Sequence, residues 1–315
     1  MRTSGVHFGS PSPGLRRVPS ASMTLSEAAQ RWRARGRIVR VRDLDVFVVS
    51  EHDAAAGTPL VLLHGFPSSS LDFHRCWDAL AEGRRIVALD LPGFGFSSKP
   101  VDYGYSLFEQ ADVVELVLRA LGVDRADLLA HDMGTSVATE LLARREAGLL
   151  RFELERLVLM NGSVHVELAH LTPSQKLLRL PGVGPLVARL SSGVTFRAQL
   201  RRILARPVAP ADLDDMYELL RLGDGRLRLP AIIRYLEERV RFARRWSGAL
   251  ERLDRPALIL WGAKDPVAVL AIARQLARET PGATLVTMDD LGHYPQLEDP
   301  ARVAAEVRRF LAAGR

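Results

Sequence analysis

Leu128-Leu129-Ala130-His131-Asp132-Met133-Gly134-Thr135 joins two kinds of local pattern within eight residues. Upstream, Ala126 to Ala130 is apolar apart from Asp127 and reads as a buried strand. Downstream, Ser136 to Arg145 is a helix-forming run. The break falls at His131-Asp132, and small residues, Ala130 and Gly134, stand two positions either side of Asp132. A strand, a sharp turn and a helix with the pattern small-x-nucleophile-x-small is the layout of a nucleophile elbow, where a strained turn lifts one side chain above a sheet. The flanking residues must be small because the turn brings the helix and strand backbones into near contact. The residue at the apex is an aspartate and not a serine, and that substitution largely sets the chemistry.

Away from this stretch the chain keeps a βα rhythm. Arg37–Arg42 and Leu44–Ser50 alternate at period two about Arg42-Asp43 and read as a hairpin. Pro59–Leu63, Arg85–Asp90 and Leu157–Met160 are short apolar strands. Between them, Phe73–Ala81 and Ser106–Leu121 carry helical spacing. Apolar strands alternating with amphipathic helices imply a mostly parallel sheet covered on both faces. From about Val164 to Arg252 no strand is convincing, and helical stretches are punctuated by Pro181, Gly184-Pro185, Pro207, Pro210 and Gly223-Asp224-Gly225. The rhythm resumes with Pro256–Trp261, Val267–Glu279, Ala283–Met288 and Ala301–Leu311. The expected organisation is a Ser-, Pro-, Gly- and Arg-rich disordered tail over residues 1–22, a core over 23–163 and 253–315, and a helical lid over 164–252. Met23 is a candidate true start.

Composition narrows the function classes. The 315 residues are 47% hydrophobic and 25% charged, ordinary for a soluble globule with a sizeable core. The net charge of +6 suggests nucleic acid at first sight. However, 40 of the 43 basic residues are arginine, the only lysines being Lys99, Lys176 and Lys264, which points to coding composition. The basic residues also alternate with acidic ones, without the aromatic-interleaved stripe of a nucleic-acid groove. The single cysteine, Cys76, excludes an intrachain disulfide and a cysteine-based metal site. No apolar run reaches the ~20 residues of a membrane span, and no apolar segment near the N-terminus makes a secretory signal. A cytoplasmic protein, monomeric or homodimeric, is the expectation.

Ligands of α/β sheets bind outside the carboxyl ends of the strands, and four strand ends here carry suitable residues. His64-Gly65-Phe66-Pro67 follows the Leu60–Leu63 strand. Its Phe66 N–H could join that of Met133 as an oxyanion hole. Asp132 ends the elbow strand, Asp265 follows Leu258–Lys264, and Gly292-His293 follows Asp289-Asp290-Leu291. Nucleophile, acid and histidine in that order is the α/β-hydrolase triad order.

From about Arg37 to Leu311 the chain resembles the α/β-hydrolase superfamily, in the branch that holds haloalkane dehalogenases and epoxide hydrolases. The motifs that carry this are His64-Gly-Phe-Pro67, Asp90-Leu-Pro-Gly-Phe-Gly-Phe-Ser97, His131-Asp-Met-Gly134, Gly262-Ala-Lys-Asp-Pro-Val267 and Gly292-His-Tyr-Pro-Gln-Leu-Glu-Asp-Pro300. The expected fold is the α/β-hydrolase fold: eight mostly parallel strands, helices on both faces, and a helical lid after the sixth strand.

Carboxylate attack on an ester carbonyl gives a high-energy anhydride, whereas attack on a saturated carbon bearing a leaving group gives a stable alkyl ester. Asp132 is therefore expected to open an epoxide or displace a halide. His293, oriented by Asp265, then activates the water that hydrolyses the ester. The resemblance implies that a halide would need side-chain N–H donors, with Trp beside the nucleophile and Asn or Trp elsewhere, but Met133 and Phe66 stand at the two corresponding positions. It implies two lid tyrosines for an epoxide, and the insert offers only Tyr217 and Tyr235. Epoxide hydrolases usually carry Trp where Met133 stands. The expected activity is cofactor-free and metal-free ring opening of a small apolar or amphipathic epoxide with water. Haloalkane dehalogenation and a non-catalytic binding role are the alternatives.

Each residue also has a plainer reading. Asp132 stands where a helix cap is common, and His293 could be a satisfied structural histidine. His64 and His131 flank the site and read as backbone-bonding residues. Tyr217 and Tyr235 would serve equally as packing residues of an amphipathic lid. Asn161, at the end of the sixth strand, cannot balance an imidazolium by charge, which favours Asp265 as the acid. Glu298 reads as an anchor for the loop after His293, and Cys76 and Trp77 as core. Arg201, Arg202, Arg241, Arg244 and Arg245 read as a solvated lid face, with an anionic substrate or a membrane surface as the other reading.

Overall fold

The computed structural model describes residues 24–313; the expected tail over 1–22 and the Met23 start lie outside them. Eight strands form one sheet: β1 (Gly36–Val41), β2 (Leu44–Glu51), β3 (Leu60–Leu63), β4 (Ile86–Leu89), β5 (Arg125–His131), β6 (Glu153–Met160), β7 (Ala257–Gly262) and β8 (Thr284–Met288). Their spatial order is β1-β2-β4-β3-β5-β6-β7-β8. The first two strands form an antiparallel hairpin, β2 runs antiparallel to β4, and the remaining pairings are parallel. Strands β3, β4 and β7 are buried at every position. Such strands have no polar face to offer water, so helices must cover both sides.

Before the insert lie α1 (Glu27–Arg35), α2 (Trp77–Ala81), α3 (Leu107–Ala120) and α4 (Met133–Glu146). Period-two alternation splits the core. Val61, Leu63, Leu128 and Ala130 pack on one face with α3 and α4, while Leu60, Leu62 and Leu129 pack on the other with Trp32, Trp77 and Val303. Helix α3 starts where its sequence signals, with Ser106 and Glu109 forming a reciprocal capping box. The Phe73–Ala81 stretch, expected as one helix, instead divides into a 3-10 turn at Ser70–Phe73 and the short α2. Its backbone is diverted because Ser70 donates both its N–H and its hydroxyl to Asp90 Oδ1, at 2.8 and 2.6 Å.

Between β6 and β7 there are only helices among the regular elements: α5 (Pro173–Leu178), α6 (Val183–Leu190), α7 (Gly193–Arg201), α8 (Pro210–Arg221), α9 (Leu229–Ile232), α10 (Tyr235–Arg241) and α11 (Ala243–Glu251), with short 3-10 turns. Three polar ties fix this insert over the strand ends. Buried Glu140 of α4 accepts from Arg245 at 2.8 and 3.0 Å and from Trp246 at 2.9 Å. Glu238 accepts from the Leu107 N–H at 2.8 Å. Glu298 Oε2 accepts from the backbone N–H groups of Ala205 and Arg206, both at 2.9 Å. Arg245 is thus part of a junction, not only of a solvated face. The chain closes with α12 (Leu270–Glu279), α13 (Pro295–Glu298) and α14 (Pro300–Ala312).

Candidate active site

Asp132 sits between the last residue of β5 and the first of α4 with φ 46° and ψ −114°. A non-glycine residue there costs about 1–3 kcal/mol and persists only when its surroundings fix it. The surroundings explain the small neighbours. A methyl on Gly134 would stand 2.5 Å from the Leu63 carbonyl oxygen and 2.7 Å from that of His64. One on Gly65 would stand 2.4 Å from Asp132 Cβ. Asp132 occupies the cap position of α4 but makes no capping bond. Its Oδ2 accepts instead from the Phe66 N–H at 2.8 Å, and its Oδ1 lies 4.0 Å from His293 Nε2. One oxygen is held by a backbone donor and the other faces the imidazole.

Behind His293 stands Asp265, whose Oδ2 accepts from His293 Nδ1 at 2.6 Å and from the Asn161 amide at 2.8 Å. Its Oδ1 accepts from the Val267 and Ala268 N–H groups at 2.8 and 3.0 Å. Four donors therefore fix this carboxylate. Asn161 also receives the Gly262 N–H at 2.8 Å, so it orients the acid by hydrogen bonding. Burial works to lower the His293 pKa. The charge and hydrogen bond of Asp265, with the charge of Asp132, outweigh it and push the imidazole up to about 9. At neutral pH the resting pair is thus an imidazolium beside a carboxylate.

The flanking histidines bond backbone. His64 Nδ1 donates to the Gly65 carbonyl, and its Nε2 accepts from the Leu91 N–H, both at 2.9 Å. His131 Nε2 donates to the carbonyl of His293 at 2.7 Å. Burial lowers the His131 pKa to about 3, so its ring stays neutral beside His293. Glu298 anchors the same loop, accepting from the Gly292 N–H at 2.8 Å. Cys76 and Trp77 are core.

A cavity of about 320 Å³ opens over Asp132 and His293; its apolar wall includes Leu178, Val187, Leu190, Phe196, Leu200 and Leu229, and its polar lining includes the amides of Gln175 and Gln199 and the hydroxyls of Thr172, Ser174, Ser191 and Thr195. The two tyrosines of the insert differ in their surroundings. Neither is among the cavity's lining residues. Tyr217 donates its hydroxyl to the Ser191 carbonyl at 2.9 Å and packs on Phe196. Tyr235 is buried against Phe66, with ring centroids 5.8 Å apart. Burial and the Asp132 charge raise its pKa, against the Arg239 charge and hydrogen bonds from Gln175 and Arg239, so it stays an O–H donor.

Sequence reasoning missed Arg239. It is 1% exposed and has no carboxylate partner among the described residues; its guanidinium lies 4.5 Å from the Tyr235 ring centroid. Its Nε donates to Ser136 Oγ at 2.7 Å, and a second nitrogen lies 3.4 Å from the Asp132 carbonyl. The Tyr235-x-x-x-Arg239 spacing was the available signal. Tyr294 was missed too: its hydroxyl is buried without a hydrogen-bond partner. Among the described residues no cluster of three or more His, Cys, Asp or Glu could hold a metal ion.

Residues 58–300 match the alpha/beta hydrolase fold family. A Mycobacterium tuberculosis protein named "Putative hydrolase LipZ" is 44% identical over 283 residues, covering 89% of this chain and 96% of that protein. The mesoderm-specific transcript protein of Mus musculus is 38% identical over 287 residues, covering 88% of this chain and 85% of that protein. Among solved structures, the haloalkane dehalogenase DatA of Agrobacterium tumefaciens C58 superposes with a TM-score of 0.74 at 24% identity, over 88% of this chain and 96% of that one.

Proposed function

The chain belongs to the alpha/beta hydrolase fold family, and from that premise we propose that it is an epoxide hydrolase acting through an alkyl ester on Asp132. The observation that carries this reading is the Asp132 carboxylate, with Oδ2 held by the Phe66 N–H and Oδ1 facing His293 Nε2 at 4.0 Å. A serine-type acyl transfer has no hydroxyl at this position. Residues 164–252 act in this account as a lid that keeps the reacting atoms away from bulk water.

Asp132 Oδ1 attacks one epoxide carbon as the ring C–O bond breaks, and Tyr235 gives its proton to the departing alkoxide. Tyr217, bonded to Ser191, takes no part. Esterification removes the carboxylate charge that helps hold the His293 proton, and that proton passes to the Tyr235 phenolate, restoring the phenol. The neutral imidazole can then take a proton from water, whose oxygen attacks Asp132 Cγ. The tetrahedral oxyanion is stabilised by the N–H groups of Phe66 and Met133. Collapse frees the diol, which takes the second water proton and leaves imidazolium and carboxylate as at the start.

The amides of Gln175 and Gln199 in the cavity favour halide departure, because each offers a side-chain N–H. Turnover of a panel of epoxides and short haloalkanes, with Asp132→Asn as control, separates the two. Diol formation that the control abolishes supports the proposal. Halide release with no diol would replace it by dehalogenation.

A further inference from the structure

The outer face of the insert is apolar where a solvated helix should be polar. Of the nine large hydrophobic residues exposed on the described surface, six fall within 18 residues: Leu177, Leu180, Val183, Leu186, Leu190 and Val194. The inner faces of the same helices are apolar as well, since Leu178, Ala188, Phe196 and Leu200 line the cavity. Large apolar side chains exposed this close together, and not scattered singly, mark an interaction surface. The patch is also continuous with the cavity mouth, because Leu190 is 72% exposed and lines the cavity at once.

Charge identifies what covers it. Between Glu167 and Asp212 there is no acidic residue, while Lys176, Arg179, Arg189, Arg197, Arg201, Arg202 and Arg206 are basic. This segment alone carries seven positive charges, against +6 for the whole chain. Three are paired: Arg179 with Glu237, Arg197 with Asp214, and Arg206 with Asp290 and Asp299. Lys176, Arg189, Arg201 and Arg202 are exposed and make no ion pair among the described residues. A second copy would oppose cation to cation across such a face. An anionic lipid surface complements both features, taking basic side chains at its phosphates and apolar ones at the acyl boundary.

We propose that the outer face of α5–α7 docks on an anionic phospholipid bilayer and opens the cavity mouth toward it. This is peripheral binding; no helix among the described residues is long and apolar enough to cross a membrane. Docking does not depend on the Asp132 chemistry. The consequence that the substrate is an apolar electrophile dissolved in the bilayer does rest on the hydrolase reading.

The test is flotation of the full chain with vesicles of phosphatidylcholine alone or with about one third phosphatidylglycerol. It reads binding without turnover, so a negative result removes the docking and leaves the hydrolase reading standing. The wild-type chain should float with the anionic vesicles only, and should be released at 0.5 M salt, where screening is strong. Two triple variants avoid the cavity lining: Leu180→Ser/Val183→Ser/Leu186→Ser, and Arg189→Glu/Arg201→Glu/Arg202→Glu. Each should lower partitioning by about 100-fold or more, with circular dichroism and melting verifying the fold. Wild-type protein that floats with neither vesicle, or folded variants that float as well as wild type, would overturn the proposal. So would a dimer in analytical ultracentrifugation that the serine variant disperses, since the patch would then be covered by a second copy.

Discussion

Replacing Asp132 by asparagine should release the proton on His293. The variant keeps the size of the side chain but removes its charge, as esterification would. Two unit charges 4.0 Å apart at an effective dielectric constant of about 20 attract by about 4 kcal/mol. That corresponds to roughly a thousandfold in proton affinity. His293 in the wild-type chain stands at about 9, with Asp265 supplying the larger upward influence, so the thousandfold is an upper bound on the fall. The measurement is an NMR titration of labelled histidine side chains, the His293 signal being assigned by its loss in His293→Gln. His131 does not interfere, since its ring is held neutral. The wild-type signal should titrate near 9, and the Asp132→Asn signal should titrate at clearly lower pH. Equal midpoints, or a higher one in the variant, would refute the idea that consuming the Asp132 charge turns His293 into a base.

The same histidine makes stability depend on pH. Its folded pKa of about 9 exceeds the ordinary 6.5, so its contribution is fully present below 6.5 and lost as pH rises through 9. Urea midpoints at pH 6 and pH 9.5 should therefore fall further for wild type than for His293→Gln. Gly65→Ala drives a methyl to 2.4 Å from Asp132 Cβ. It should cost about 1–3 kcal/mol in urea unfolding, and activity should fall more than stability does. Tyr235→Phe should slow epoxide opening by about 100-fold or more, while Tyr217→Phe should leave it nearly unchanged; equal effects in single-turnover assays would contradict the assignment of the proton donor.

Much of the frame was legible because its physics is local. Leu60–Leu63, Ile86–Leu89 and Ala257–Gly262 are apolar at nearly every position, and such runs have few alternatives to a buried strand. Asp132, Asp265 and His293 could be found because they follow strands whose ends gather at one edge of the sheet. What stayed hidden depends on contacts far apart in the chain. Arg239 reads as a solvated helix residue until α10 lies over α4 and Ser136 takes its Nε. Tyr217 and Tyr235 are indistinguishable by spacing, and separate only once Ser191 captures one hydroxyl. The turn at Ser70–Phe73 depends on Asp90, twenty residues away. The outer face of α5–α7 was obscured differently. Its exposed residues Leu180, Val183, Leu186 and Leu190 are as apolar as the buried Leu178, Phe196 and Leu200, so residue type alone does not tell the outer surface from the inner one.

The most direct test of the central claim is intact-protein mass spectrometry of His293→Gln after incubation with pooled epoxides and haloalkanes. With the water-activating base removed, turnover should halt after the first step and hold the ester on the enzyme. The expected result is a gain equal to the whole mass of one epoxide, mapped to the peptide containing Asp132 and absent when Asp132→Asn is added. No adduct from any epoxide in a folded protein that turns one over as wild type, or an adduct on a different residue, would contradict it.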